Sequence, residues 1–263
     1  MTKEHLVVLG AGPGGYTAAF YAADQGYKVT LLDSSEMPGG VCLHRGCIPS
    51  KALLHIAGLV TKAVQAKEWG IDFGEPKIDL KRLREWKNEI SLKISDGLIS
   101  LCKQRDVSFI NSRGIFTDSN TIKLSNSSTL VFDRCIIATG SRPVMPQKFI
   151  DNKLIIMDST EALKLSTIPE KMLVVGGGYI GLELGKVYSS LGSRVTIIEM
   201  QDGLLPNVDR DLIRPLHQKL SNEFEAIYLN TEIVSIQESK KLGHVTMVND
   251  KEQFDDFFDS ILM

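Results

Sequence analysis

The feature that most constrains how this chain can fold is an internal repeat. The segment LVVLGAGPGGYTAAFYAADQGYKVTLLD, from Leu6 to Asp33, recurs as LVVGGGYIGLELGKVYSSLGSRVTIIE, from Leu173 to Glu199. Gly10, Gly12, Gly15, Gly26 and Asp33 stand 166 residues before Gly176, Gly178, Gly181, Gly192 and Glu199, and the alignment needs no gap. Each copy reads as a β-branched strand, a glycine turn, a helix, and a second apolar strand that ends in an acid.

That order of residues has a specific chemistry. The first glycine allows a tight turn, the second lets the backbone approach a pyrophosphate, and the third lets the helix pack closely on the strand. The helix N-terminus offers unpaired N–H groups to phosphate. The acid, about 20 residues further on, accepts hydrogen bonds from an adenosine ribose and disfavours a 2′-phosphate. One such loop is a weak signal. Two copies, each with its strand, helix and terminal acid, specify two dinucleotide sites.

At roughly 150 residues per domain, a chain of 263 residues falls between one domain and two. Its 43% hydrophobic and 24% charged residues belong to a globular protein, which excludes a fibre or a disordered chain. A net charge of −2 without a basic block gives no electrostatic footprint for nucleic acid or an anionic membrane. No apolar run approaches the roughly 18 residues of a membrane span, so a cytoplasmic protein without a cleaved leader is expected. Four cysteines in a chain of this length do not make a secreted scaffold, so a close pair among them points to catalysis or metal binding.

Such a pair lies in GGVCLHRGCIPSK, from Gly39 to Lys51. In a regular helix the spacing of Cys42 and Cys47 would separate their Cα atoms by more than the roughly 7 Å that a disulfide bridges. A bond between them therefore needs a distorted turn. Gly46 permits one, and Pro49 biases Ile48 away from helical geometry while suiting the start of a new helix. Arg45, Lys51 and a nearby helix N-terminus all favour a thiolate, so the stretch reads as a redox pair. A metal site of Cys42, His44 and Cys47 lacks a fourth ligand and fits no zinc spacing. Cys102 and Cys135, set among Leu and Ile, read as small core residues. His5, His55, His217 and His244 read as surface or packing residues.

The two copies differ where Pro13 and Thr17 of the first become Tyr179 and Glu183 of the second. An aromatic beside a phosphate turn could cover a nicotinamide pocket, and an acid one helical turn later could face a cation. A packing tyrosine and a solvated glutamate would give the same sequence. Elsewhere, Ser50–Trp69 and Asp79–Arg105 read as amphipathic helices, and Val107–Ile137 as short strands around turns.

With GAGPGGY (Gly10–Tyr16), GGVCLHRGCIPSKALLH (Gly39–His55), ATGSRP (Ala138–Pro143) and GGGYIGLELG (Gly176–Gly185) in that order, the chain resembles the N-terminal part of a pyridine-nucleotide disulfide oxidoreductase of the glutathione-reductase type. Within that family it is most similar to the dihydrolipoamide dehydrogenases. The resemblance implies an α/β fold of two Rossmann-like dinucleotide-binding domains, each a three-layer ββα arrangement with a β-meander. Residues 1–143 would bind FAD and 144–263 would bind NAD, with a hinge at Ser141–Pro146. Gly10, Gly12, Gly14, Gly15, Gly40 and Asp33 would hold FAD, with Gly114 and the Thr139–Gly140 turn against its adenine half; the family usually carries Glu at the position of Asp33. Cys47 would be the charge-transfer thiol against the flavin and Cys42 the interchange thiol that meets the substrate. Lys51 would lie near flavin N5, paired with Glu183. Tyr179 would cover the nicotinamide, and Gly176, Gly178, Ile180, Gly181 and Glu199 would bind NAD.

After Glu199 comes MQDGLLP, with no Arg or Lys for a 2′-phosphate, which favours NAD over NADP and counts against a glutathione reductase. GCIPSKALLH is also closer to the lipoamide enzymes than to the GCVPKK and GCVPSK of glutathione and mercuric reductases. The implied activity is oxidation of dihydrolipoamide, with lipoyl domains of 2-oxo acid dehydrogenase complexes or the glycine cleavage carrier as partners. A homodimer is expected for the full-length family, together with a part in cell redox homeostasis. The alternatives are a glutathione- or mercuric-reductase-like member and a catalytically incomplete FAD/NAD-binding module.

The last residues, FDSILM from Phe258 to Met263, resemble FDRCII from Phe132 to Ile137, and the chain stops one residue before the counterpart of Ala138. The family's closing FAD segment, its dimer domain and that domain's His-Glu acid–base pair would lie beyond. A fragment inactive in the sustained NAD-linked oxidation of dithiols is therefore the expectation.

Overall fold

The computed structural model describes residues 3–146, 149, 155–239 and 242–263. The first repeat folds as strand β1 (His5–Leu9), helix α1 (Pro13–Asp24) and strand β2 (Lys28–Asp33). Pro13 opens α1, where its missing N–H has no helical partner to lose. The cysteine stretch forms α2 (Gly40–Arg45) and the start of α3 (Cys47–Gln65), which a 3-10 turn extends over Ala66–Trp69. Then come α4 (Leu80–Gln104) and the strands β3 (Ser108–Asn111), β4 (Gly114–Phe116), β5 (Thr121–Leu124), β6 (Thr129–Val131) and β7 (Arg134–Ile137). After β8 (Ile156–Met157) and α5 (Ser159–Lys164), the second repeat gives β9 (Lys171–Val175), α6 (Tyr179–Ser190) and β10 (Arg194–Ile198). The remainder is α7 (Arg210–Glu223), β11 (Ala226–Tyr228), β12 (Glu232–Ser239), β13 (Leu242–Val248), β14 (Gln253–Phe258) and β15 (Ser260–Leu262).

The chain divides into two compact units, residues 1–49 with 86–142 and residues 50–85 with 143–263. The expected division at 143/144 put 50–85 in the first unit. These residues instead bury Leu53 and Ala57 among Leu184, Val187 and Tyr188 of the second, and the Arg84 guanidinium donates to the Ser166 carbonyl at 3.2 Å. The stretch 40–69 passes as a membrane span by length and mean composition, but Gly46 breaks it into α2 and α3, and Arg45, Lys51 and Lys62 interrupt any continuous apolar run. Part of the apolar surface of α3, Leu53 and Ala57, packs into the second unit's core, whereas Leu59 and Val64 are exposed.

Each unit is three layers, and the alternation along its parallel strands makes it so. In the first, the parallel sheet runs β3-β2-β1-β7. Leu6, Val8, Val29 and Leu31 face α1 and Cys102 of α4, whereas Val7, Leu9 and Leu32 face Ile122 and Leu124 of the antiparallel β4-β5-β6 meander and Phe132 just after it. In the second, the sheet runs β11-β10-β9-β15-β8. Met172, Val174, Val195 and Ile197 face helices, whereas Leu173, Ile198 and Ile261 face the β12-β13-β14 meander through Val245, Met247 and Phe258.

The duplication extends to single hydrogen bonds. Asp133, just before β7, accepts from His5 N–H at 2.7 Å; Asp259, just before β15, accepts from Lys171 N–H at 2.7 Å. Each aspartate fixes the register of the last strand against the first, pairing Leu6 with Arg134 and Met172 with Ser260. At the other end of β1, helix α1 passes so close that a Cβ on Gly15 would strike the Gly10 carbonyl oxygen, while a Cβ on Gly14 would meet nothing within 4 Å. Gly15→Ala should therefore lower stability by about 1–3 kcal/mol, as overpacking against a rigid group does. Gly14→Ala should stay within about 1 kcal/mol of wild type; chemical denaturation of the two variants checks the contrast.

Candidate active site

In the first unit β1 lies between β2 and β7, whose connections leave in opposite directions, so the C-terminal ends of these strands open a crevice. A cleft of about 480 Å³ occupies that place. The glycine loop supplies Gly10, Gly12 and Gly14, the end of β2 supplies Asp33, and the turn after β7 supplies Thr139 and Gly140. Gly40 and Cys42 of α2 complete it. Added Cβ atoms on Gly14 or Gly140 would meet nothing within 4 Å, so the backbone of both is open to an occupant. The size, the glycine backbone and the helix N-terminus suit a dinucleotide. Gly15 and Gly114 do not line the cleft: Gly15 serves the helix–strand contact, and a Cβ on Gly114 would run into Ile122 and Leu32 at 2.7 and 2.8 Å.

Asp33 is already committed to the loop it follows. Its Oδ2 accepts from Ala11 N–H at 2.6 Å and its Oδ1 from Ser35 N–H at 2.7 Å. A ribose hydroxyl would use the remaining lone pairs of the same carboxylate. Ser34, Ser35, Arg45 and Ser141, which the sequence did not single out for this cleft, also line it. Arg45 was legible as a cation three residues from Cys42 on one helix face; the serines carried no signal.

The distortion required between the cysteines is present. Helix α2 ends at Arg45, Gly46 adopts φ −150° and ψ −116°, and α3 starts at Cys47. A Cβ on Gly46 would lie 3.0 Å from the Val41 carbonyl oxygen and 3.3 Å from the Cys42 Cα, so the turn doubles back onto Cys42. Pro49 sits in the first turn of α3, where no N–H is required. Cys102 is buried and Cys135 half-buried, and burial pushes both thiols above the ordinary 9.0.

In the second unit the glycine loop repeats the arrangement. Glu199 is buried, accepting from Gly177 N–H at 2.7 Å and from Gln201 N–H at 2.8 Å, each partner 166 residues beyond its equivalent around Asp33. Added Cβ atoms on Gly176 or Gly178 would meet nothing within 4 Å, whereas Gly181 lies against the Gly176 carbonyl. Tyr179, the first residue of α6, is 66% exposed and Ile180 is also exposed, so Tyr179 is not a packing residue. Glu183 lies one turn further along the same helix face. Its two oxygens accept from Lys51 Nζ at 2.7 and 2.8 Å, so it faces a cation. Lys51 is 59% exposed, which makes the pair an orienting contact more than a stabilising one. The loop after β10 contains a device that the sequence did not reveal. Arg210 donates to the carbonyls of Leu204, Leu205 and Val208, and Leu205 N–H donates to Gly177 O at 3.0 Å. The guanidinium is thus occupied by its own backbone and not offered to a 2′-phosphate.

The family model for pyridine nucleotide-disulphide oxidoreductases matches residues 4–261. The dihydrolipoyl dehydrogenases of Vibrio cholerae and Haemophilus influenzae are each 40% identical to the chain, over 93% and 96% of its length and 52% and 54% of theirs. The HOCl-induced flavoprotein disulfide reductase RclA from Escherichia coli superposes with a TM-score of 0.80 at 26% identity, over 98% of this chain and 55% of its own. The chain thus spans about half the length of the curated relatives it matches. Members of this group work with FAD and NAD. With two glycine-loop units of the right topology and a cysteine turn against the first of them, matched along nearly all of its length, the chain belongs to the pyridine nucleotide-disulphide oxidoreductase family.

Proposed function

We propose that this chain is the FAD- and NAD-binding portion of an oxidoreductase that oxidises dihydrolipoamide through a Cys42–Cys47 disulfide. The observation that carries the reading is the position of Cys42 in the same cleft as the glycine loop and Asp33, with Gly46 folding the chain back on it. The 40% identity to dihydrolipoyl dehydrogenases supports the choice of substrate.

In this reading a substrate thiolate attacks Cys42 Sγ, the Cys42–Cys47 bond breaks, and Cys47 leaves as a thiolate. The second substrate thiol then displaces Cys42, giving a cyclic substrate disulfide and a reduced pair. Arg45, on the same face of α2 as Cys42, favours the thiolate form. The first unit would hold FAD through Gly10, Gly12, Gly14 and the α1 N-terminus, with Asp33 on the ribose. The second would hold NAD through Gly176, Gly178 and the α6 N-terminus, with Glu199 on its ribose. The bound cofactors supply the two-electron relay from dithiol to nicotinamide. Tyr179 shields the face of the α6 N-terminus, and Glu183 sets the direction of the Lys51 ammonium. The likeness to RclA favours a second reading, a disulfide reductase with a different substrate.

The oxidised chain mixed with dihydrolipoamide should yield one lipoamide per chain and a reduced Cys42–Cys47 pair by mass spectrometry, and Cys42→Ser should yield none. A faster exchange with an unrelated dithiol would favour the RclA-like reading. NAD should bind at least about tenfold more tightly than NADP in calorimetric titration, because a buried carboxylate meets the 2′ position. Raised thiol pKa values leave less thiolate at neutral pH. Iodoacetamide labelling of Cys102 and Cys135 should therefore lag behind that of free cysteine near neutrality and still accelerate above pH 9.0.

A further inference from the structure

Helix α2, which carries Cys42, has only six residues, and its N-cap, Gly39, brings no side chain to cap it. A helix that short does not hold its shape alone in water. Its support comes from outside. Gly39 N–H donates to the Ala11 carbonyl at 2.8 Å, and Leu43 is buried. The Pro38 carbonyl, immediately before the cap, receives two further donors: Ser95 Oγ at 2.6 Å and His44 Nε2 at 3.0 Å. A carbonyl oxygen only accepts and has two lone pairs, so both can be used together, and Nε2 of His44 must carry the hydrogen. Ser95 is fully buried in α4, which makes Pro38 O a fixed point. His44 is two residues from Cys42 on α2 itself. Its bond back to Pro38 closes a ring of chain from residue 38 to residue 44 around the cysteine.

We propose that His44 is a positioning residue for the redox pair: by latching α2 to the Pro38 carbonyl that Ser95 holds, it keeps Cys42 at the turn where Gly46 returns the chain toward it. The inference rests on the reading of Cys42 and Cys47 as a redox pair. A latch of this kind raises the effective concentration of one thiol at the other, because the ordering of α2 is done before the bond forms. It acts in both protonation states of His44, since Nε2 carries a hydrogen in the neutral tautomer required here and in the imidazolium.

The test is the equilibrium of the 263-residue chain with glutathione, read by acid quenching, alkylation and mass spectrometry. The two thiols and one glutathione disulfide give the Cys42–Cys47 bond and two molecules of reduced glutathione, which take up the two thiol protons and the two electrons. His44→Ala should reduce the equilibrium constant for forming the bond by roughly fivefold to tenfold, the loss of one part-buried hydrogen bond. His44→Gln, whose amide N–H stands near the place of Nε2, should stay within about twofold of wild type. Ser95→Ala should shift the constant in the same direction as His44→Ala. In the reduced chain, His44→Ala should also speed amide exchange at residues 41–45. An unchanged constant in His44→Ala, or an equal fall in His44→Gln, overturns the proposal. Should His44→Ala fail to fold, the Gln and Ser95 variants decide by the same measure: the latch stands if Ser95→Ala falls and His44→Gln does not, and is overturned otherwise. A wild-type chain that forms no Cys42–Cys47 bond overturns the redox-pair reading itself, a result distinct from an unchanged constant.

Discussion

A carboxylate at the end of the second strand of each repeat is the contact on which the rest of both units depends. A glycine loop between a strand and a helix has few side chains to hold it, and its N–H groups point away from any ladder. Asp33 and Glu199 supply the missing anchor through short bonds to Ala11 and Gly177, with Ser35 and Gln201 completing each carboxylate. Charge-assisted bonds of this kind are stronger than neutral ones and fix direction as well as distance. Once the loop is fixed, the helix behind it can approach its strand, and the crevice beyond it keeps its shape.

Much of this was legible in the sequence because it follows from period and spacing. The doubled glycine motif gave both sheets' central strands, whereas their continuous apolar runs did not tell which face meets helices and which the meander. The paired endings FDRCII and FDSILM correspond to strands that lie in the same register against β1 and β9. Partnerships between distant residues were not legible. Nothing in Ser95, mid-helix, signals that its hydroxyl meets Pro38, and Arg210 gives no hint that its guanidinium turns back on a loop. The packing of residues 50–85 was not legible for a related reason: an amphipathic pattern tells that a face is buried, not which core buries it.

Apolar layers on both sides of each sheet do the holding, and polar bonds direct the turns. Around the second site, the polar contacts that matter to the loop are buried at Glu199, half-buried at Glu183 and open to water at Lys51. The apolar layers resist change in salt or pH, whereas the Lys51–Glu183 pair is screened by salt and contributes direction more than stability.

The division of the chain has a bearing on its ancestry. The path changes units at 49/50, at 85/86 and again at 142/143, with the first two changes inside α3 and α4. Neither unit is a continuous length of sequence, so no single break separates them with both cores intact. The repeat could have arisen by copying one ancestral segment, but the helices inserted into the first copy came to complete the second. A cut at any one of these three places therefore leaves at least one core without part of its lining.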